Sequence, residues 1–180
     1  MLGMFALNVQ GVSGAILQMI NHGLSTGALF LLIGMVYEQT HTRDIKVYGG
    51  LWKVMPVFGT IMLIASLSSM GLPGLNGFVG EFTILLGAFG STAIGSPWYA
   101  GISAIGVIMA AVYILYMFQK MFLGPAGEIT HHHELKDLNW REILTVAPLL
   151  ILMFWIGLYP APFFNLIAPA VEKLIAALPL

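Results

Sequence analysis

The sequence predicts an all-α integral membrane protein of several helices, and three observations predict it. Apolar residues make up 58% of the 180-residue chain and charged residues only 8%, where a soluble domain carries roughly a quarter charged. Mean hydropathy is +0.90. The apolar residues are gathered into runs long enough to cross a bilayer, with short polar stretches between them. So few polar residues cannot cover the outer faces of helices around a water-soluble core. Cysteine is absent, which excludes a disulfide frame and a thiolate metal site. A net charge of -1 offers no basic surface, so nucleic acid is not an expected partner.

Residues 1–10 begin Met1-Leu-Gly-Met-Phe-Ala-Leu7, without the basic start of a signal peptide. They read as the end of a truncated transmembrane helix, and the chain as a fragment. Five spans follow, at about 12–36, 54–70, 76–94, 98–120 and 143–160. In the first, Gln18, His22 and Thr26 recur at i, i+4 and i+8, with Asn21 and Ser25 beside them. On a helix this is one polar stripe, facing protein or confined water rather than lipid. Gly23 and Gly27 form a small-xxx-small pair that would admit a close neighbour. In the third span Gly87, Gly90 and Gly95 argue against a straight, continuous helix. The fourth follows Pro97, a first-turn proline. It carries Trp98 and Tyr99 at one border and Tyr113 and Tyr116 near the other, roughly an aromatic belt. The fifth ends at Pro160-Ala-Pro162. Residues 161–180 read as a terminal helix, interfacial or packed on a partner.

Basic residues do not orient these spans. Arg43, Lys46 and Lys53 lie in or beside the loop at 37–53, and Lys120, Lys136 and Arg141 border or lie in the long loop at 124–142. Three against three gives no positive-inside signal.

The stretch Gly71-Leu-Pro-Gly-Leu-Asn-Gly-Phe-Val-Gly-Glu81 carries the chemistry. Glu81 is the one charged residue between Val54 and Gln119. A carboxylate at the centre of a spanning segment costs about 2.5–3.5 kcal/mol even on the lowest scales, so it faces a bundle interior or a hydrated cavity. Burial and a nearby lysine pull the protonation of such a group in opposite directions, which suits uptake and release of a proton. Pro73 interrupts the helical hydrogen-bond ladder, and Gly74, Gly77 and Gly80 supply backbone freedom. Broken helices of this kind gather free backbone groups around an ion site. Glu81 therefore reads as a proton or ion relay, the plainer alternative being a structural salt bridge to a lysine on another helix. No lysine of this chain lies mid-membrane, so that partner is expected elsewhere.

His22 can donate from one ring nitrogen and accept at the other. With Gln18 and Thr26 it reads as part of a proton wire, or else as a packing hydrogen bond between helices. His41, Arg43 and Asp44 read as a network at the membrane border, with a proton exit as the alternative. Lys53 and Lys120 at span ends snorkel to the interface. His131-His132-His133 reads as a solvated loop rather than a metal site, since three consecutive residues cannot easily converge on one ion. There is no nucleotide loop, haem motif or iron–sulfur cysteine set.

Three stretches carry a family resemblance over essentially the whole chain. They are Gln18-Met-Ile-Asn-His-Gly-Leu-Ser-Thr-Gly-Ala-Leu-Phe30, Tyr37-Glu-Gln-Thr-His-Thr-Arg-Asp44 with Gly49-Gly50-Leu51, and the stretch 71–81 continued to Phe82. The chain resembles the C-terminal part of the M-type antiporter-like membrane subunits of bacterial proton-pumping NADH:quinone oxidoreductase (respiratory complex I), counterparts of mitochondrial subunit 4.

The resemblance implies the C-terminal portion of a fourteen-helix antiporter-like fold with two inverted repeats, each holding a broken transmembrane helix. The chain would run from the end of the ninth helix through the fourteenth. Glu81 matches the acid on the second broken helix, and His22 a histidine on the tenth helix that helps wire a water chain. The lysines of the charged axis would lie on helices before Met1. Gln18, Thr26, Asn76, Pro73, Gly77 and Gly80 would support the path. Related sodium/proton antiporter subunits commonly place lysine where this chain has Glu81, which favours the M-type reading over that alternative.

The implied function is proton translocation by a non-redox membrane subunit in a multi-pass bacterial plasma membrane, beside neighbouring antiporter-like subunits. No cofactor is expected in this chain. NADH, quinone, FMN and iron–sulfur clusters belong in or at other subunits. The family also orients the loop at 124–142 to the cytoplasm. A purely structural membrane subunit is the third possibility.

Overall fold

A computed structural model describes residues 1–132 and 135–178, apart from the side chains of His131 and His132, so the side chains of the histidine run at 131–133 lie outside what is described. Among the described residues the regular structure is helical. After a single turn, α1 (Leu2–Phe5), comes α2 (Val9–Thr40), followed by the turn α3 (Leu51–Val54), α4 (Pro56–Ser69) and α5 (Asn76–Phe89). Then come α6 (Trp98–Phe122), the short α7 (Glu128–His132), α8 (Trp140–Leu158) and α9 (Ala161–Ala176). By length and apolar composition α2, α6 and α8 can each cross a membrane, while α4 and α5 are shorter apolar helices of 14 residues each.

α2 is longer than the span expected at 12–36. At its start Asn8 accepts from the Gly11 N–H at 2.7 Å, and at its end His41 adopts a left-handed conformation. At 32 residues it is about 48 Å long, and everything else is arranged along it. From its N-terminus, Gly11 meets Gly87, Gly14 meets Thr83 and Ile84, and the Asn21 amide donates to the Asn76 carbonyl at 2.7 Å. Further along, Ala28, Leu32 and Val36 join a core with Ala65, Met62, Phe58 and Met55. Rising numbers on α2 thus meet falling numbers through α5 and then α4. The two short helices lie end to end, antiparallel to α2, and together match its length.

This corrects the expectation of five spans. The runs at 54–70 and 76–94 form the two halves of one broken span alongside α2. α5 also stops at Phe89 rather than near 94.

The loops bear this out independently. Gln39 exchanges two hydrogen bonds with the Lys136 backbone, at 2.9 and 3.0 Å. The Gly127 N–H donates to the Gly49 carbonyl at 3.1 Å. The Asp137 carboxylate accepts from the Val57 and Phe58 N–H groups at 2.8 and 2.9 Å, capping α4, which has no side-chain cap of its own. The loops at 37–53 and 124–142 therefore share one face, which an odd number of intervening spans would forbid. Of the seven Lys and Arg residues, all but Lys173 belong to that face. That face therefore carries the basic bias of the described loops.

The two halves of the bundle are held differently. Toward the charged face lies the apolar core around Leu32, Phe58, Met62, Phe118, Phe122 and Met153. Toward the other face α2 and α5 approach backbone to backbone through glycines. Apolar side chains gain little by leaving lipid, so such close packing and polar contacts do much of the holding in a bilayer. Gly23 and Gly27 take no part in this, since a Cβ on either would meet nothing within 4 Å. α8 packs on α5 and α2, and α9 turns back against α2. Trp98, Tyr99, Tyr113 and Tyr116 are exposed on α6, as are Ile102, Ile105 and Ile108.

Candidate functional site

The site is built on the break between α4 and α5. α4 ends in a Schellman motif. Gly71 is left-handed (φ +78°), its N–H donates to the Ser68 carbonyl at 3.3 Å, and the Leu72 N–H reaches back to the Leu67 carbonyl at 3.0 Å. The helix is therefore already closed before Pro73, which lies exposed in the connecting turn. The expectation that Pro73 breaks the ladder is corrected: Gly71 ends α4, and Pro73 blocks its resumption by lacking a donor. Gly74 supplies a second left-handed residue at φ +95°. On the far side Gly157 of α8 presses on the turn, its Cβ position 2.5 Å from Leu75 Cα.

Gly77 and Gly80 serve close approach rather than backbone freedom, which is a second correction. Both are helical and buried. A Cβ on Gly77 would fall on the Ser68 carbonyl. A Cβ on Gly80 would fall on the Gln18 side-chain oxygen, 3.0 Å from Asn21 Nδ2 and 3.1 Å from Gln18 Cα. The missing side chain at Gly80 is what lets the polar stripe of α2 reach across.

Glu81 is half-buried beside that opening. Gln18 Nε2 donates to its Oε1 at 3.3 Å, and Oε2 occupies the space where Gly71 would carry a Cβ. The carboxylate thus touches both halves of the broken span. Its third side faces an open groove of about 310 Å³ beside α5 and α6, lined also by Met1, Leu2, Ile84, Ser103 and Gly106. One hydrogen-bonded face and one open face suit a group that must keep its position and still exchange a proton.

Behind Gln18 lies a buried amide pair. Asn21 and Asn76 are both essentially inaccessible. Asn21 Nδ2 donates to the Asn76 carbonyl at 2.7 Å and to Gln18 Oε1 at 3.3 Å, while Asn76 Nδ2 donates back to Asn21 at 3.3 Å. Ser68 at the end of α4 donates to Asn76 Oδ1. These bonds join both half-helices to α2.

The structure therefore brings together Glu81, Gln18, Asn76, Gly77 and Gly80. It places Pro73 outside the helices, keeps Gly71 at the head of the stretch, and adds Asn21, Ser68 and Gly157, which were not among the expected site residues. Asn21 carried a signal, lying three residues after Gln18; Ser68 and Gly157 carried none. His22 and Thr26 lie apart from Glu81. His22 is on an exposed face of α2, its ring nitrogens 3.3 and 3.4 Å from Thr26 Oγ1. The polar stripe thus divides, Gln18, Asn21 and Ser25 turning inward and His22 outward. At the charged face, Arg43 lies over the Tyr37 ring at 4.7 Å, His41 meets the same ring edge-on, and Asp44 accepts from the Lys46 N–H at 3.0 Å. Lys53 and Lys120 are exposed at helix ends, with Lys120 5.5 Å from the Tyr116 ring.

Residues 1–112 match the family described as NADH:quinone oxidoreductase/Mrp antiporter, transmembrane. The chain belongs to that family. A NADH-quinone oxidoreductase subunit M of Rickettsia felis is 42% identical over 176 residues, 97% of this chain and 34% of that protein. A chain of respiratory complex I from Thermus thermophilus with bound NADH is 37% identical with a TM-score of 0.82, covering 97% of this chain and 36% of that one. A chain of the Mrp complex from a Dietzia species also reaches 0.82, covering 96% of this chain and 39% of its own, but at 18% identity, which shows the shared fold alone. This member of the NADH:quinone oxidoreductase/Mrp antiporter family spans about a third of the length of the curated relatives it matches. Its apolar helices and its family make it a membrane protein.

Proposed function

We propose that the chain is the C-terminal part of a proton-translocating M-type membrane subunit of NADH:quinone oxidoreductase in a bacterial plasma membrane. The observation that carries this reading is the setting of Glu81, a lone membrane acid held by Gln18 at the break of a split helix and open on one side to a groove. The identity to subunit M and complex I chains, about twice that to the Mrp chain, supports this reading over a sodium/proton antiporter without a redox partner.

Electron transfer from NADH to quinone, with FMN and iron–sulfur clusters, belongs to other subunits. The residues of this chain move a proton. Glu81 takes it up at the groove side, where its carboxylate is open, and releases it when the charge on neighbouring subunits changes its affinity. Gln18 keeps the carboxylate in place between exchanges. The buried amides hold the two half-helices in register, so that Glu81 lies at the same depth in each cycle. His22 and Thr26, on the outward face of α2, belong to the stretch of path completed by neighbouring helices.

The test is Glu81→Gln in the full-length subunit within the assembled complex, read as NADH-driven acidification of inverted membrane vesicles. The reading expects pumping to fall at least tenfold, equivalent to about 1.4 kcal/mol or more on the transfer step. Near-normal pumping with assembly confirmed would overturn it.

A further inference from the structure

Which end of the Gln18 amide faces Glu81 is decided three residues away. The Asn76 backbone carbonyl can only accept a hydrogen bond. Asn21 Nδ2 lies 2.7 Å from it, so the Asn21 amide has one permitted orientation, nitrogen toward α5. The same nitrogen lies 3.3 Å from the Gln18 side chain, and that near atom must therefore be Oε1. The far atom is then Nε2, and it is this donor that meets Glu81 Oε1 at 3.3 Å. Turning Gln18 over would set its NH₂ against the Asn21 NH₂ and its oxygen against the carboxylate. Both contacts are repulsive, and at the buried Asn21 end the displaced polar groups would be left unpaired. Asn21 is itself held from the other side, because Asn76 Nδ2 donates to Asn21 oxygens at 3.3 Å and Ser68 fixes Asn76. The absent side chain at Gly80 leaves the room in which the three groups meet.

We infer that Asn21 is a positioning residue for proton exchange at Glu81: it transmits the acceptor polarity of the Asn76 carbonyl through Gln18, so that Glu81 always receives a donor. The inference rests on the relay reading of Glu81 and goes beyond it, because it ties the state of the carboxylate to the register between α2 and α5. A shift of α5 away from Asn21 would release the Gln18 amide and with it the donor held against Glu81. The Gln18 amide itself neither gains nor loses a proton.

The test is a double-mutant cycle in the full-length subunit of the intact complex, using Asn21→Leu and Gln18→Leu alone and together. The readout is NADH-driven pumping per assembled complex, measured across a pH series. Each single variant is expected to lower pumping about threefold to tenfold, the worth of one orienting hydrogen bond. The double variant is expected to match the Gln18→Leu variant, and all three are expected to share one altered pH profile. Multiplicative losses in the double variant would overturn the inference, because Asn21 would then act by packing alone. Normal pumping in Gln18→Leu would overturn it as well. If Asn21→Leu does not assemble, Asn21→Ser replaces it in the same cycle with the same two outcomes. Glu81→Gln measured alongside separates the two levels. Loss there with no loss in the cycle sinks only the inference, while normal pumping in Glu81→Gln sinks the relay reading beneath it.

Discussion

Gly80→Ala would test whether the meeting of α2 and α5 matters through space alone. The added Cβ would lie 3.0 Å from Asn21 Nδ2 and 3.1 Å from Gln18 Cα, and would overlap the Gln18 side-chain oxygen. Ordinary heavy-atom contacts lie near 3.5–4.0 Å, so α2 must retreat by about 0.5 Å or Gln18 must swing away. The Gln18–Glu81 bond is 3.3 Å long now. The same retreat would lengthen it to about 3.8 Å, beyond the reach of a hydrogen bond. Overpacking of this kind costs about 1–3 kcal/mol, and the lost bond about a further 1 kcal/mol. The expected result is a complex that assembles, melts earlier and pumps about fivefold to tenfold more slowly. Pumping at the unsubstituted rate, with Gln18 still bonded to Glu81 in a structure of the variant, would refute the reasoning.

Further outcomes follow from the same contacts. Asp137→Ala removes the cap on two N–H groups of α4 and should cost about 1–2 kcal/mol, seen as faster heat inactivation of the complex. Gly71→Ala and Gly74→Ala each place a side chain at positive φ, but only at Gly71 does the Cβ meet Glu81. Both should lose about 1–2 kcal/mol of stability, and Gly71→Ala alone should also slow pumping; equal pumping in the two would remove the carboxylate from the break. His22→Ala should lower pumping while leaving Gln18 bonded to Glu81, since the two lie on different faces of α2. An unchanged proton-to-electron ratio at full assembly would reduce His22 to packing.

Much of the architecture was legible because lipid is an unforgiving solvent. A lone acid among apolar residues marked Glu81, and glycines beside Pro73 marked the break. The number of spans was not legible, because the two apolar runs at 54–70 and 76–94 each look able to cross a bilayer on length. Only their common contact with α2 shows that they share one crossing. That error also hid the basic bias of one face. Arg43, Lys46 and Lys53 were set against Lys120, Lys136 and Arg141, although Gln39 and Asp137 tie the two loops together on one face.

At the site itself, periodicity found the polar stripe but not its division. Gln18, His22 and Thr26 are neighbours on a helix surface, yet α5 approaches from the Asn21 side, so Gln18 turns inward and His22 is left outside. Gly77 and Gly80 looked like hinge residues because glycine in a sequence signals freedom and close approach alike. Their helical backbones against the Ser68 carbonyl and the Gln18 side chain decide for close approach. Gly157 could not have been found from the sequence, since its partner at Leu75 lies more than eighty residues away.

The central claim is that Glu81 changes its protonation during turnover. Infrared difference spectroscopy of the assembled complex, before and after NADH addition, reads this directly when glutamate is isotopically labelled. The account predicts a labelled carboxyl band that changes on turnover and is missing from the Glu81→Gln variant. Identical difference spectra in the two would contradict it.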